Sequence, residues 1–337
     1  MTKKERVKYA LLHQETDIVP FNINFTQPAY RKLTNYFGGE ISEDEIGNHI
    51  VYIEPVSFNS WVEIKPNMWM DEFGVMWDRS IDKDIGNPIP VLKYPSIKGY
   101  KFPDPDNPKR YSHFSTIIEK NKDKFILCSI GFSLFERAWT LRGMENFLID
   151  MIENPPFVNE LLDTIVNFNI KIIKNTSKYP IDGFRFGDDW GQQKGLIMGI
   201  PFWRKFLKPR LEKMYQEVHK VGLPVFIHSC GDVQEILPEL IDIGVNVFNP
   251  FQPEVMNIFE IKRIYGDKLS FFGGISVQKL LPFGTPQQVK DETKKILQTI
   301  GKGGGYIASP SHDIPKDVPV ENIVALIETL NPDFPFK

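Results

Sequence analysis

The chain has few of the residues that chemistry usually relies on: 337 residues contain only 2 Cys and 6 His. Two cysteines, Cys128 and Cys230, exclude a disulfide framework and fit a reducing compartment. No stretch approaches the ~18 consecutive apolar residues of a membrane span. The opening residues, MTKKERVKYALLHQETD, are charged throughout and lack the apolar segment of a secretory signal. An excess of one charge is missing too. Lys and Arg number 40 against 43 Asp and Glu, which gives no electrostatic reason to expect nucleic acid or an anionic membrane as partner. These absences together lead us to expect a cytoplasmic protein without nucleic-acid or membrane partners.

Aromatic residues are plentiful, with 26 Phe, and suit a protein that lines an apolar pocket. Short β-rich runs end in glycine or polar clusters and are followed by amphipathic helical patterns. They are VPFNINFT (19–26), KFILCSIG (124–131), GFRFGDDW (183–190), LPVFIHSCG (223–231), VNVFNPF (245–251), KLSFFGGI (268–275) and GGYIASPSH (304–312). The periodicity predicts helices over 146–175 and 203–222. Strands alternating with helices imply parallel βαβ units. Their number favours an α/β fold built as a single (β/α)8 TIM barrel over an open sheet. Residues 1–115 form its N-terminal part and 116–337 most of the barrel. Within the first part, NMWMDEFGVMWDRS (67–80) predicts a hairpin capping one barrel end. The Pro-, Lys- and Asp-rich stretch 95–113 reads as a surface excursion, and no internal repeat is visible.

Barrel active sites lie at the C-terminal ends of the strands. His228 and Cys230 stand at i and i+2 at one such end and share a face. Asp232 with Glu235 looks like a capping box opening the next helix. Catalytic zinc typically takes three protein ligands, and this pair supplies two; an isolated pair is equally well explained as a core His beside a buried Cys. His312, in ASPSHDIP (308–315), closes the last strand and could converge on the other two, or be a solvated loop residue. In GDDWGQQKG (187–195), the adjacent Asp188 and Asp189 point to opposite faces, so one of them faces the cavity as a catalytic candidate and the other caps a turn. Trp190, Gln192 and Gln252 are candidate pocket walls toward a cofactor. Gly273-Gly274 and Gly303-Gly304-Gly305 lack nucleotide-binding spacing and read as backbone room at the barrel mouth.

In this order the stretches resemble the uroporphyrinogen decarboxylase superfamily, most strongly from GDDWG to PVENI (187–323). The resemblance implies a single (β/α)8 barrel and one of two activities: decarboxylation in haem synthesis, or zinc-dependent methyl transfer with a corrinoid protein. Decarboxylases of this kind carry an arginine-rich motif that grips the tetrapyrrole carboxylates. Here the corresponding stretch reads NFTQPAYRK, with only Arg31 nearby. His228-Ser229-Cys230-Gly231 is similar to the first two zinc ligands of the methyltransferase branch. Where coenzyme M-type members place a third ligand cysteine, this chain has Pro310-Ser311-His312, and His is an acceptable zinc donor. The same His312 also matches a decarboxylase histidine. The expectation is zinc on His228, Cys230 and His312, with Asp188 or Asp189 orienting a small methyl donor or acceptor. Nothing in the chain resembles a corrinoid-binding domain, so the corrinoid is expected in trans on a partner protein. The alternative is a metal-free decarboxylase using His312 and an Asp.

Overall fold

The computed structural model describes residues 1–56, 60–81, 83 and 85–334. Seven parallel strands form one curled sheet, in the order Ile50–Ile53, Phe125–Ile130, Gly183–Gly187, Val225–His228, Val247–Phe251, Ser270–Ile275 and Tyr306–Pro310. Each pairs with the next along the chain, which is the strand order of a barrel. The gap between the first and last strands is spanned by the segment 20–26. There Asn22 N–H donates to Ala308 O at 3.0 Å, and Ile314 N–H to Asn24 O at 2.9 Å. On the other side His49 N–H donates to Phe21 O at 3.1 Å. The side chains of Asn22 and Asn48 supply the rest, accepting from Ile50 N–H at 3.2 Å and Ile23 N–H at 2.8 Å. The fold is thus TIM-barrel-like, with the expected first strand present as a hydrogen-bonded seam. The strand Ile50–Ile53 was not anticipated; four residues between Asn48-His49 and Glu54-Pro55 are too short a signal.

Alternation along the strands separates two buried clusters. Ile126, Cys128, Phe184, Phe186, Val225, Ile227 and Phe248 pack outward with the surrounding helices. Ile50, Phe125, Leu127, Phe226, Val247, Phe272 and Ile307 form a second cluster inside the barrel, joined by Val7 of the N-terminal helix Lys3–Leu11. Two residues further along the same strands, the inward positions turn polar: Ser129, His228, Asn249 and Ser309 line a cavity, with Tyr52 and Arg185 beside them. One end of the barrel is therefore plugged with hydrocarbon and the other is chemically equipped.

The expected helix 146–175 is interrupted. Met144–Glu153 ends at Asn154, and Pro155–Thr176 restarts with two prolines in its first turn, where a missing N–H costs nothing. The helix over 203–222 opens with a π-turn, Trp203–Leu207, before Lys208–His219. The predicted hairpin is there, Met68–Met70 against Met76–Asp78, inside a four-stranded antiparallel sheet with Val62–Lys65 and Asn87–Ile89. Its Trp77 packs on Phe132 at a centroid distance of 5.3 Å, just past the end of strand Phe125–Ile130. Asp71 accepts from Trp77 Nε1 and from Arg137 Nη1, pinning that sheet to the barrel. In the excursion 95–113, Arg110 ties back to Glu72 and to the carbonyl of Pro55.

Two glycine clusters do not share a location. Gly273 and Gly274 lie within a strand, where a Cβ on Gly273 would come 2.6 Å from Phe251 N. Gly303–Gly305 precede the last strand, at the opposite end of the barrel from the mouth. A Cβ on Gly304 would meet Gln14 N at 2.4 Å, so this run admits the N-terminal segment. Among the described residues, no helix is long and apolar enough to cross a membrane.

Candidate functional site

Strand Val225–His228 ends at His228, and the next residues turn sharply against the loop after strand Gly183–Gly187. Gly231 has φ +84°, and a Cβ there would lie 2.4 Å from Gly191 C, so only glycine fits the crossing of the two loops. The turn places Cys230 Sγ 3.5 Å from His228 Nε2. His312 arrives from the loop after the last strand, its ring centroid 6.2 Å from that of His228. One ligand atom from each of His228, Cys230 and His312 lies within 4.8 Å of the others. Tetrahedral zinc with bonds of ~2.0–2.3 Å needs donors roughly 3.5 Å apart. The His228–Cys230 pair is already at that spacing, and His312, on an exposed loop, needs a small approach.

Asn249 decides which nitrogen of His228 is free. Its amide nitrogen donates to Phe272 O at 2.9 Å, which turns its oxygen toward His228 Nδ1 at 2.6 Å. Nδ1 therefore carries the proton, and the Nε2 lone pair faces Cys230 and His312. Burial, then the charge of Arg185, lowers the His228 pKa to about 4, keeping the ring a neutral donor. Burial and the neighbouring Asp189 push the Cys230 thiol up.

The two adjacent carboxylates separate as alternation requires. Asp189 faces the centre: its Oδ1 accepts from Cys230 N–H at 2.9 Å and lies 3.8 Å from His228 Nε2. Asp188 is fully buried and accepts from the N–H groups of Leu134, Phe135 and Glu136 at 3.2, 3.0 and 2.8 Å, and from Trp190 Nε1. It anchors the N-terminus of helix Phe135–Arg142, whose orphan donors and dipole favour a carboxylate. Burial raises its pKa to about 6 against those hydrogen bonds. The expectation that Asp188 could act on substrate is corrected, because its oxygens are committed to the helix.

Trp190 is corrected likewise. It is completely buried, its backbone N–H donates to Ser229 Oγ at 2.9 Å, and its ring packs on Trp203 at 5.9 Å, so it buttresses the site from behind. Gln192 and Gln252 lie together with Cys230 and His312 along an open groove of 600 Å³ on the outer side of the centre. Gln252 Oε1 accepts from Gly231 N–H at 3.4 Å. The anticipated capping box is not formed. Asp232 instead accepts from Gln234 N–H at 3.2 Å, and a 3₁₀ turn, Gln234–Ile236, leads into Leu237–Asp242 with Pro238 in its first turn.

Inside the barrel the cluster opens on a cavity of 290 Å³ lined by Tyr52, Glu54, Ser129, Arg185, His228 and His312, among others. That is near the lower end of sites for drug-sized ligands, ~300–1,000 Å³. Sequence reasoning passed over three residues here: Asn249, Arg185 and Glu136. The first two sit as single polar residues between phenylalanines in FNPF and FRF. Asn249 is in register with His228, and Arg185 takes the inward position level with Phe226 and Ser129; an inward polar residue near the strand end was the available signal. Glu136 follows the capped helix end, and burial with the charges of Asp189 and Asp188 pushes its pKa well up.

Comparison with known proteins gives the family and the fold. The family model described as Uroporphyrinogen decarboxylase (URO-D) matches residues 86–332, most of the chain. The chain belongs to that family. It is 23% identical over 194 residues to a methylated-thiol--coenzyme M methyltransferase of Methanosarcina mazei, covering 57% of this chain and 49% of that protein. The match thus spans about half the length of that relative. A uroporphyrinogen decarboxylase of Wigglesworthia glossinidia brevipalpis is 26% identical over 257 residues, covering 72% of this chain and 68% of the other. The solved structure of a methyltransferase from Methanosarcina mazei superposes with a TM-score of 0.75, at 20% identity, covering 98% of this chain and 99% of that one, which establishes the shared fold.

Proposed function

We propose that the protein is a zinc-dependent methyltransferase. It moves a methyl group between a small substrate, a thiol or a methoxy compound, and a corrinoid carried on a separate protein. The observation that carries this reading is the His228–Cys230–His312 cluster at the C-terminal barrel end, with Asn249 holding the His228 proton at Nδ1. Zinc bound there supplies Lewis acidity, lowering the pKa of a substrate thiol or polarising the leaving oxygen of a methyl donor. The chain's own residues do the rest. Asp189, facing the same space, takes or returns the substrate proton and keeps the Cys230 turn in place through its backbone N–H. Glu136, whose pKa is pushed up by burial and by the charge of Asp189, stands at the same corner. The open groove past Gln192 and Gln252 leaves the outer face of the centre accessible to a corrinoid protein.

The rival reading is decarboxylation without metal, by His312 and Asp189. A tetrapyrrole bearing eight carboxylates would need several cations, and Arg185 is the single Arg or Lys among the described residues lining the cavity. Each buried carboxylate left unpaired costs several kcal/mol. Uroporphyrinogen III is therefore expected to give no coproporphyrinogen.

Zinc stoichiometry of the protein purified without added metal tests the proposal, with about one zinc per chain expected. His312→Cys should keep the metal and His312→Ala should weaken it, while both stay folded. A metal-free wild type, or equal zinc affinity in wild type and His312→Ala, overturns the assignment of this ligand set.

A further inference from the structure

The cavity beneath the metal-ligand cluster holds a guanidinium that the fold leaves without a close ion-pair partner. Arg185 sits in strand Gly183–Gly187, in register with Phe226 of the next strand and Ser129 of the previous one. Phe184 and Phe186 on either side are wholly buried among the helices, so Arg185 turns into the barrel. Its Nη1 donates to Ser129 Oγ at 3.1 Å, and the guanidinium lies 5.7 Å from the centre of the Tyr52 ring. Nε is buried with no hydrogen-bond partner. A group with five donors thus has one protein acceptor, and among the described residues no carboxylate lies within ion-pair distance of it.

A half-buried guanidinium whose Nε is shielded and unpaired is costly, and an anion arriving in the cavity relieves that cost. The space is prepared for one. Gly187 stands one inward position further up the same strand, level with His228, and even a Cβ there would stay 3.9 Å from Nη1. Arg185 therefore reaches up toward the ligand level without obstruction. Glu54 and Asp313 line the same cavity, and Glu54 feels the Arg185 charge, but no hydrogen-bonded ion pair joins either of them to the guanidinium.

We propose that Arg185 is the specificity-determining residue of this cavity: the substrate carries a carboxylate that sits on the Arg185 guanidinium while its reacting end lies against the His228–Cys230–His312 cluster. The planar guanidinium fork matches the planar carboxylate, and Ser129 holds the fork from behind. The short span across a 290 Å³ cavity selects a small molecule with the anion a few bonds from the reacting atom. This inference rests on the cavity and not on the metal, so it is separable from the methyl-transfer reading.

The test uses the whole protein and matched probes that differ only in charge. Calorimetry compares propionate with propionamide on metal-stripped protein, and 3-mercaptopropionate with 3-mercaptopropanol on zinc-loaded protein. In wild type the anionic member of each pair should bind at least ~10-fold tighter, with an affinity that falls as salt rises. Arg185→Gln should bring each ratio to within about twofold, and Arg185→Lys, a point charge without the fork, should restore part of it. Zinc content should be unchanged in both variants. Equal binding of charged and neutral probes to wild type overturns the proposal even if the variants do not fold, and so does a preference that survives in Arg185→Gln. Loss of the zinc-dependent pair alone, with the metal-free pair still discriminated, would count against the zinc reading and leave Arg185 in its role.

Discussion

The two ends of the barrel are built from the same strands with the same alternation, yet they have opposite chemistry. At the N-terminal end the inward residues Phe125, Leu127, Phe226, Val247 and Ile307 close around Val7, so helix Lys3–Leu11 plugs the barrel with hydrocarbon. One inward position later, the same strands present Ser129, His228, Asn249 and Ser309. The change takes place within two residues of each strand. Stability and function are thus written on one set of strands, separated by about 7 Å of rise, and they should be breakable one at a time.

The largest expected effect is at the mouth. Cys230→Ala should take zinc from about one per chain to near zero, because the remaining two imidazoles cannot complete a three-ligand set. Folding should be little changed, since Cys230 lies outside the apolar plug. Elemental analysis alongside thermal unfolding checks both halves, and a mutant that keeps full zinc would remove this thiol from the site.

The reverse experiment breaks the plug. Phe226 is fully buried, its ring 5.8 Å from that of Phe125. Phe226→Ala should cost about 3–5 kcal/mol of stability through lost burial and a residual cavity. Zinc affinity of the folded fraction should stay near wild type. A large drop in metal affinity without a stability loss would show that the two ends are coupled more tightly than the strand pattern implies.

Much of this division was legible in the sequence. Alternating runs located six of the seven barrel strands and the seam at 19–26, and the i, i+2 spacing of His228 and Cys230 put both at a strand end. The remainder was illegible for identifiable reasons. Asp188 and Asp189 differ only in which face each takes, and that depends on the helix Phe135–Arg142, far off in sequence, whose donors claim Asp188. Arg185 and Asn249 sit between buried phenylalanines, where local pattern suggests core. Only closure of the barrel reveals that their inward neighbours are His228 and Ser129.

Asn249 offers a smaller, sharper perturbation. Asn249→Ala leaves all three ligands in place but frees the His228 ring to rotate and to change tautomer. Loss of such an orienting partner should weaken metal binding about 10–100-fold, measurable by competition with a chromogenic chelator. The side chain also bonds Phe272 O, so a modest stability loss of about 1 kcal/mol should accompany it. Unchanged affinity would mean that packing alone orients His228.

The smallest effect separates the two ends by pH. His49, just before the first barrel strand, is 1% exposed, and neither of its ring nitrogens has a hydrogen-bond partner. Its ring meets Phe21 edge-on at 4.7 Å. Burial, then the charges of Arg6 and Lys3 on the plugging helix, lowers its pKa to about 3, from the ordinary 6.5 of histidine. The unfolded chain therefore binds one more proton than the folded one between those values. Stability from this residue is full above pH 6.5 and declines as pH falls toward 3, by up to about 1.4 kcal/mol per unit. Between pH 7.5 and pH 5, wild type should lose about 2 kcal/mol more than His49→Phe, which cannot take up the proton. Urea unfolding of the metal-stripped proteins at the two pH values measures this difference directly. If His49→Phe shows the same pH slope as wild type, the acid sensitivity belongs to the mouth, where His228 is also held neutral by burial, and the plug is indifferent to protons.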